Sequence, residues 1–210
     1  MTGAGDQRRK AASPPITQDS VLLHVCCGPC ASAVVPAWRA EGLEPVALFY
    51  NPNIQPAVEQ ARRWEAMRCL AEHLTLRLEV VAAHAGVGTG RGPYPIWCPP
   101  EGAAPARCGA CIAHRLDQAA RYAAAIGVPR FATSLAVSPY QPHEVIREQG
   151  DVAAARWAVE FLYVDQRSLY RQSRVYAREL DLYRQQYCGC VPSMWEAWHQ
   201  RQSRRRRSVP

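Results

Sequence analysis

Residues 21–30 read VLLHVCCGPC, and the fold follows from this stretch. VLLHV is apolar almost throughout, as expected of a strand covered on both faces and not of one that alternates between core and water. Cys26 and Cys27 come where the strand ends, and Gly28 permits a tight turn into a helix. Two further segments share the character of the first, PVALFY at 45–50 and RFATSLAV at 130–137. Working outward from these gives strands at Val21–Cys27, Pro45–Asn51, Leu76–Ala82, Arg130–Ser138 and Glu160–Asp165. Helical period fills the intervals at about 30–40, 56–74, 109–126, 142–158 and 167–181. Alternation of this kind predicts an α/β fold, a Rossmann-like parallel sheet with helices on both faces. Ligands of such sheets bind beyond the carboxyl ends of the strands, where the strand order reverses, so residues just after a strand are the first candidates for function. From His84 to Arg107 the chain holds five glycines and five prolines with little period, which reads as a loop.

The chain has 210 residues, 48% hydrophobic and 20% charged, which fits one globular domain and excludes a disordered or fibrous chain. We divide it into a flexible N-terminal tail at 1–20, a single α/β catalytic domain with a cysteine-rich metal site at 21–198, and a basic C-terminal tail at 199–210. The net charge of +7 is uneven: residues 21–198 carry 17 basic and 16 acidic side chains, whereas Arg201, Arg204, Arg205, Arg206 and Arg207 crowd the end. Such a run is a solvated end or an aid to holding a polyanion. No apolar run approaches the roughly 20 residues of a membrane span, and Met1–Ser20 lacks an apolar signal core. The expectation is a cytoplasmic protein that does not engage a membrane.

Seven of the nine cysteines fall into three groups: Cys26, Cys27 and Cys30; Cys108 and Cys111; Cys188 and Cys190. In a reducing compartment clustered cysteines hold metal or do redox work more often than they form a scaffold. The first two groups open helices, whose N-terminal amides favour thiolates. Thiolates select zinc, iron–sulfur clusters or copper. A four-cysteine structural zinc site is the plain alternative, but the chain offers more thiols than one tetrahedral ion uses. The CGC pair could ligate metal or close a strained, easily reduced disulfide. Cys69 reads as a small buried hydrophobe, and Cys98 as a loop residue at the mouth of the site. There is no phosphate-binding GxxxxGK[ST], no GxGxxG after the first strand, no GxSxG and no HExxH.

Residues 168–187, SLYRQSRVYARELDLYRQQY, offer a surface for RNA. Arg167, Arg171, Arg174 and Arg178 recur at helical spacing, and Tyr170, Tyr176, Tyr183 and Tyr187 are interleaved. Unpaired bases stack on aromatic and guanidinium planes while basic groups neutralise phosphate. The competing reading is a solvated arginine face with tyrosines packed inward. Asn51 and Asn53 after the second strand, and Ser134 and Ser138 after or at the end of the fourth, could bind a modified base or ribose, although Asn-Pro also simply makes a turn.

In order and spacing, HVCCGPC, FYNPNI, RCGAC, SLAVSPY and YRQQYCGC make the chain resemble the QueH family of epoxyqueuosine reductases over about Val21–Pro192. The resemblance implies a Rossmann-like domain akin to the adenine nucleotide alpha-hydrolases. It implies an oxidoreductase that removes the epoxide oxygen of epoxyqueuosine at the wobble base of tRNA with a GUN anticodon, the last step of queuosine synthesis. It further implies a 4Fe-4S cluster with an additional mononuclear metal, iron or zinc, no cobalamin, and an external electron donor such as ferredoxin or flavodoxin. By position, Cys26, Cys27, Cys108 and Cys111 are the implied cluster ligands. Cys188 and Cys190 are a redox pair or second-metal ligands, and Cys30 completes the second site. Arg171 and Arg184 flank or fall in matched segments. The reaction needs two electrons, a source of protons and a Lewis acid on the departing oxygen. No proton donor is evident: Tyr50, Tyr187 and His24 could supply it by placement, but each reads more readily as a structural hydrogen bonder, and His24 inside an apolar strand as a core histidine. Two other readings stand beside the reductase: an iron–sulfur tRNA sulfur-transfer enzyme and a zinc-stabilised RNA-binding module. The loop 84–107 departs from the helical stretch the resemblance leads one to expect there.

Overall fold

The computed structural model describes residues 14–81, 97–104 and 106–207. Most of the expected loop 84–107 lies outside them. Five parallel strands form one sheet: β1 Ser20–Val25, β2 Glu44–Phe49, β3 Leu78–Val80, β4 Arg130–Thr133 and β5 Glu160–Phe161. Helices α1 Gly28–Ala40, α2 Ala57–His73, α3 Ala106–Ala125 and α4 His143–Trp157 connect them, and α5 Tyr170–Glu179 and α6 Val191–Arg207 follow. The strand order is β3-β2-β1-β4-β5, so its direction reverses between β1 and β4. The Rossmann-like α/β reading is thereby correct. The crevice beyond Val25 and Thr133 is the topological switch point.

β1 explains its own apolar sequence. Val21, Leu23 and Val25 face one core with Ala47, Phe49, Val34, Trp38 and Met67. Leu22 faces the other with Leu48, Phe131, Ile112, Leu116 and Ile146. Both faces of the strand are therefore dry, and each fully buried aliphatic or aromatic side chain contributes roughly 1.5–3 kcal/mol.

Several elements differ from the sequence expectation: the strands expected at Leu76–Ala82 and Glu160–Asp165 are shorter, Leu78–Val80 and Glu160–Phe161. The strand expected at Arg130–Ser138 stops at Thr133, because the Thr133 hydroxyl accepts from Leu135 N at 3.2 Å and caps a 3₁₀ turn at Ser134–Val137. The helix expected at 167–181 opens as a 3₁₀ turn, Arg167–Leu169, and ends by Leu180, before Asp181 at φ 48°. The final helix α6 was not expected, and the arginine run lies on its last turns.

Gly28 is needed for a different reason from the one its position suggested. A Cβ there would stand 2.6 Å from the backbone oxygen of Ala66. The residue lets α1 and α2 touch backbone to backbone, and so fixes where the thiols before and after it sit.

Candidate metal centre

Cys27 is the N-cap residue of α1 and Cys26 precedes it, directly beyond β1 at the switch point. The sulfurs of Cys26, Cys27 and Cys30 all lie within 4.8 Å of one another. Cys26 and Cys27 are buried, and Cys30 is partly exposed. Hydrogen bonds from Cys27 and Cys30 hold Cys26 well below its ordinary pKa. Bonds to Cys26 and Cys27 push Cys30 up, and Cys27 rises to about 12, chiefly through its bond to Cys26. Of the three sulfurs, Cys26 is the one whose ionised form its neighbours favour. Gln185 donates from Nε2 to Cys27 Sγ at 3.0 Å, bringing in the segment before the CGC pair.

The other two groups reach the same end of the sheet. Cys108 and Cys111 lie in the first turns of α3. Burial raises both of their pKa values, and the charges of Cys188 and Cys190 raise them further. Arg115 feels the charges of Cys111, Cys188 and Cys26, one sulfur from each group. One guanidinium thus shares its electrostatic environment with a sulfur of each group. Among the described residues, however, only the first group has three donors within 4.8 Å of one another. All nine cysteines are free thiols, Cys188 and Cys190 included. The expectation that Cys69 is buried is corrected: it is exposed on α2, with its thiol toward Glu65.

The most informative residues were not singled out in the sequence. Arg63 and Arg115 are the two largest fully buried side chains. Arg63 pairs with Glu59 at 2.8 Å and donates to the carbonyls of Cys188 at 2.8 Å and Tyr187 at 2.9 Å. Although burial opposes its charge, Cys26, Cys27 and Glu59 raise its pKa. Arg115 donates to the Cys111 carbonyl at 3.2 Å. A signal for Arg115 existed: it interrupts the apolar stripe Cys111, Ile112, Leu116, Ala119 and Ala123 of α3 with a charge. Arg63 has no comparable signal, because α2 is mixed in polarity along its length.

The remaining expected residues separate by what holds them. Asn51 donates to Val25 O at 2.8 Å and so closes the end of β1. Asn53 and Ser134 are buried at 1% and 0% exposure, and neither side chain has a hydrogen-bond partner. Asn53 lines a cavity of about 290 Å³ with Gln55, Cys98, Arg107, Cys190 and Val191. Ser138 is taken up by a turn, accepting from Tyr140 N at 3.3 Å. Arg167 is held by Asp165, and Arg174 lies over the ring of Tyr170 at 5.8 Å. Arg171 and Arg184 are exposed. The hydroxyl of Tyr187 donates to Gln55 O, and burial pushes its pKa up to about 12.

His24 is a core histidine. It is fully buried, with Nδ1 2.9 Å from Thr133 Oγ1 and Nε2 3.1 Å from Tyr50 O. Burial and then Arg115 lower its pKa to about 4, so the ring is neutral at pH 7 and positions its neighbours. The hydroxyl of Tyr50 lies 3.0 Å from Nε2 of His114, whose ring stacks on Trp97 at 4.6 Å.

Fold and site together define a Rossmann-like protein with a cysteine-rich centre at the switch point, a donor set suited to soft metal. The sequence model described as "Epoxyqueuosine reductase QueH" matches residues 21–196, and the chain belongs to the QueH family. A protein of Dehalococcoides mccartyi named epoxyqueuosine reductase QueH is 36% identical over 176 residues, 84% of this chain and 93% of its own length. Proteins of the same name from Thermotoga maritima and Haemophilus influenzae are 31% and 30% identical, over 84% and 94% of this chain and 91% and 82% of their own. No described helix is long and apolar enough to cross a membrane.

Proposed function

We propose that this chain is an epoxyqueuosine reductase, a cytoplasmic oxidoreductase that converts epoxyqueuosine to queuosine at the wobble position of tRNA with a GUN anticodon. The reaction takes two electrons and two protons, breaks both carbon–oxygen bonds of the epoxide, forms a carbon–carbon double bond and releases water. Ferredoxin or flavodoxin supplies the electrons from outside. The observation that carries the reading is the buried Cys26, Cys27 and Cys30 triad at the switch point of a chain whose residues 21–196 match the family.

The donor set fits a metal centre: sulfurs converge, the pKa of one is lowered, and buried Arg63 and Arg115 offset negative charge. Cys26, Cys27, Cys108 and Cys111 would hold a 4Fe-4S cluster, and Cys30, Cys188 and Cys190 a neighbouring mononuclear metal. When bound, these groups supply electron transfer and Lewis acidity toward the departing oxygen. The chain's own residues do the rest. Arg63 clamps the carbonyls of Tyr187 and Cys188, and so sets where the CGC pair stands. Gly189 permits that clamp: at φ 144° it packs beside Ile54, Asn53 and Arg63, and its carbonyl accepts from Gln55 N at 2.8 Å. Unpartnered Asn53 and Ser134 would bind polar groups of the modified base or its ribose, since each buried unpaired group gains when a ligand satisfies it. Arg171 and Arg184 would meet phosphate.

The test is protein purified without oxygen, with iron, zinc and sulfide measured and tRNA carrying epoxyqueuosine offered with a reductant. Roughly four irons and four sulfides per chain, with loss of one oxygen from the nucleoside by mass spectrometry, is the expected result. One zinc, no sulfide and unchanged nucleoside would overturn it in favour of a zinc-stabilised RNA-binding module.

A further inference from the structure

α6 starts at the edge of the site and leads away from it. Val191 and Pro192, its first residues, line the 290 Å³ cavity together with Cys190. Val191, Trp195 and Trp198 recur at the spacing of one helical face, and they are 40%, 53% and 43% exposed. The two indoles meet edge to face, with centroids 5.9 Å apart, and His199 lies against Trp198 at 4.9 Å. Arg204, Arg205 and Arg206 are exposed on the last turns, and Arg205 returns to the face of the tryptophans. The helix is tethered from another side, where Glu196 pairs with the mostly buried Arg107 at 2.7 Å. The aromatic stripe is therefore left facing outward.

Two exposed indoles side by side are an apolar patch in contact with water, which marks a surface with a partner. Neighbouring arginines decide which partner. An apolar partner would gain nothing from them, whereas RNA uses both components, base faces for the indoles and phosphates for the guanidinium groups.

We infer that α6 is an RNA-docking helix: Trp195 and Trp198 stack unpaired bases next to the cavity, and Arg201 and Arg204–Arg206 hold the phosphates of the adjoining stem. The inference rests on the reading of the chain as a tRNA enzyme and names the surface that brings the tRNA in. Sixteen steps of 1.5 Å make α6 about 24 Å long, enough to follow a loop and the start of its stem. The α5 arginines lie on a separate element and add to this surface without replacing it.

The experiment measures binding of a labelled anticodon stem-loop RNA to the full chain by fluorescence anisotropy across a salt series. Replacing Trp195 and Trp198 by Ala should weaken binding roughly ten- to a hundredfold, and W195Y/W198Y should restore most of it. Replacing Arg201, Arg204, Arg205 and Arg206 by Ser should flatten the slope of log K against log salt by about 3. Metal content should not change in any of these variants. Wild-type affinity and slope in both the W195A/W198A and the arginine variants would overturn the proposal, more so if R171S/R174S abolished binding. Conversion of W195A/W198A from dimer to monomer with unchanged RNA affinity would reassign the face to a second copy of the chain. Loss of binding to phosphatidylserine vesicles with unchanged RNA affinity would reassign it to a membrane surface. Reduction of epoxyqueuosine tRNA by the α6 variants at wild-type KM would sink the docking helix and leave the activity standing. Absence of reduction by the wild-type chain, with its metal bound, would sink the activity itself.

Discussion

Replacing Arg63 by Met should be among the most damaging single changes in the molecule, and a second change should repair part of the damage. Arg63 is fully buried, and three groups converge on it: the Glu59 carboxylate and the carbonyls of Tyr187 and Cys188. Methionine keeps most of the volume and removes every donor. What remains is a carboxylate at 6% side-chain exposure without its cation, together with two carbonyls without donors. Breaking one partner out of a buried pair costs about 3–5 kcal/mol, most of it from stranding the other charge. In a domain of this size each kcal/mol moves Tm by about 2–4 °C, so the expected fall is roughly 6–20 °C. Removing the stranded charge as well, in E59Q/R63M, should recover at least ~1 kcal/mol relative to R63M alone, since Tyr183 still bonds residue 59. The assay is urea unfolding of the four proteins, wild type, E59Q, R63M and E59Q/R63M, followed by circular dichroism in chelator and reductant so that metal does not contribute. A midpoint for R63M within about 1 kcal/mol of wild type, or strict additivity of the two changes, would refute the reasoning.

Gly28→Ala should lower both stability and metal content, because a Cβ 2.6 Å from the Ala66 oxygen forces α1 and α2 apart; iron or zinc per chain equal to wild type would contradict this. Cys108→Ala should abolish bound iron and activity together, whereas Cys69→Ala, on the exposed side of α2, should change neither; metal analysis of the two purified variants decides. Metal-free protein should lose stability as pH falls from about 6.5 to about 4. His24 stays neutral in the folded chain down to about 4, while in the unfolded chain it takes a proton near 6.5. The unfolded state therefore binds the extra proton, and about 3 kcal/mol present above that window is lost across it. His24→Gln should flatten that part of the profile of unfolding free energy against pH, and an unchanged slope would show that the histidine does not carry it.

The sheet was legible because β1, β2 and β4 must hide both faces, and only apolar residues permit that. Their order was not, since pairing between β1 and β4 joins residues more than a hundred positions apart and leaves no periodic trace. Boundaries slipped where a side chain outcompeted the backbone pattern, as at Thr133, whose hydroxyl ends β4 four residues before its apolar run does. The cysteine groups were legible from their clustering, and their meeting at one end of the sheet followed from two of them opening helices. The arginines that hold the site were not legible as such. Arg63 acts on Tyr187 and Cys188, 124 and 125 residues away, and nothing local in ARRWEAM distinguishes it from the exposed Arg62 beside it. Counting basic residues pointed instead to the outer face of α5 and the 3₁₀ turn before it, where Arg167 is occupied by Asp165.

Arg115 carries the strongest argument about the state of the centre. A buried guanidinium is costly unless an anion faces it. Arg63 has Glu59, but Arg115, at 2% exposure, bonds the Cys111 carbonyl and pairs with no carboxylate among the described residues. The negative charges that reach it belong to Cys111, Cys188 and Cys26. Of these sulfurs, Cys26 has its pKa lowered, while burial raises that of Cys111, so in the metal-free chain the compensation rests chiefly on Cys26, and a bound metal would extend it by ionising the others. Three neutral thiols would leave that charge stranded. A set of ionised thiols, with or without a metal between them, neutralises it. Arg115→Leu should then do more than remove a hydrogen bond: without the cation the thiolates are harder to ionise, and metal should bind more weakly and with a steeper dependence on pH. Equal zinc affinity for Arg115→Leu and wild type from pH 6 to 8, measured by competition with a chelator, would show that the arginine is structural only.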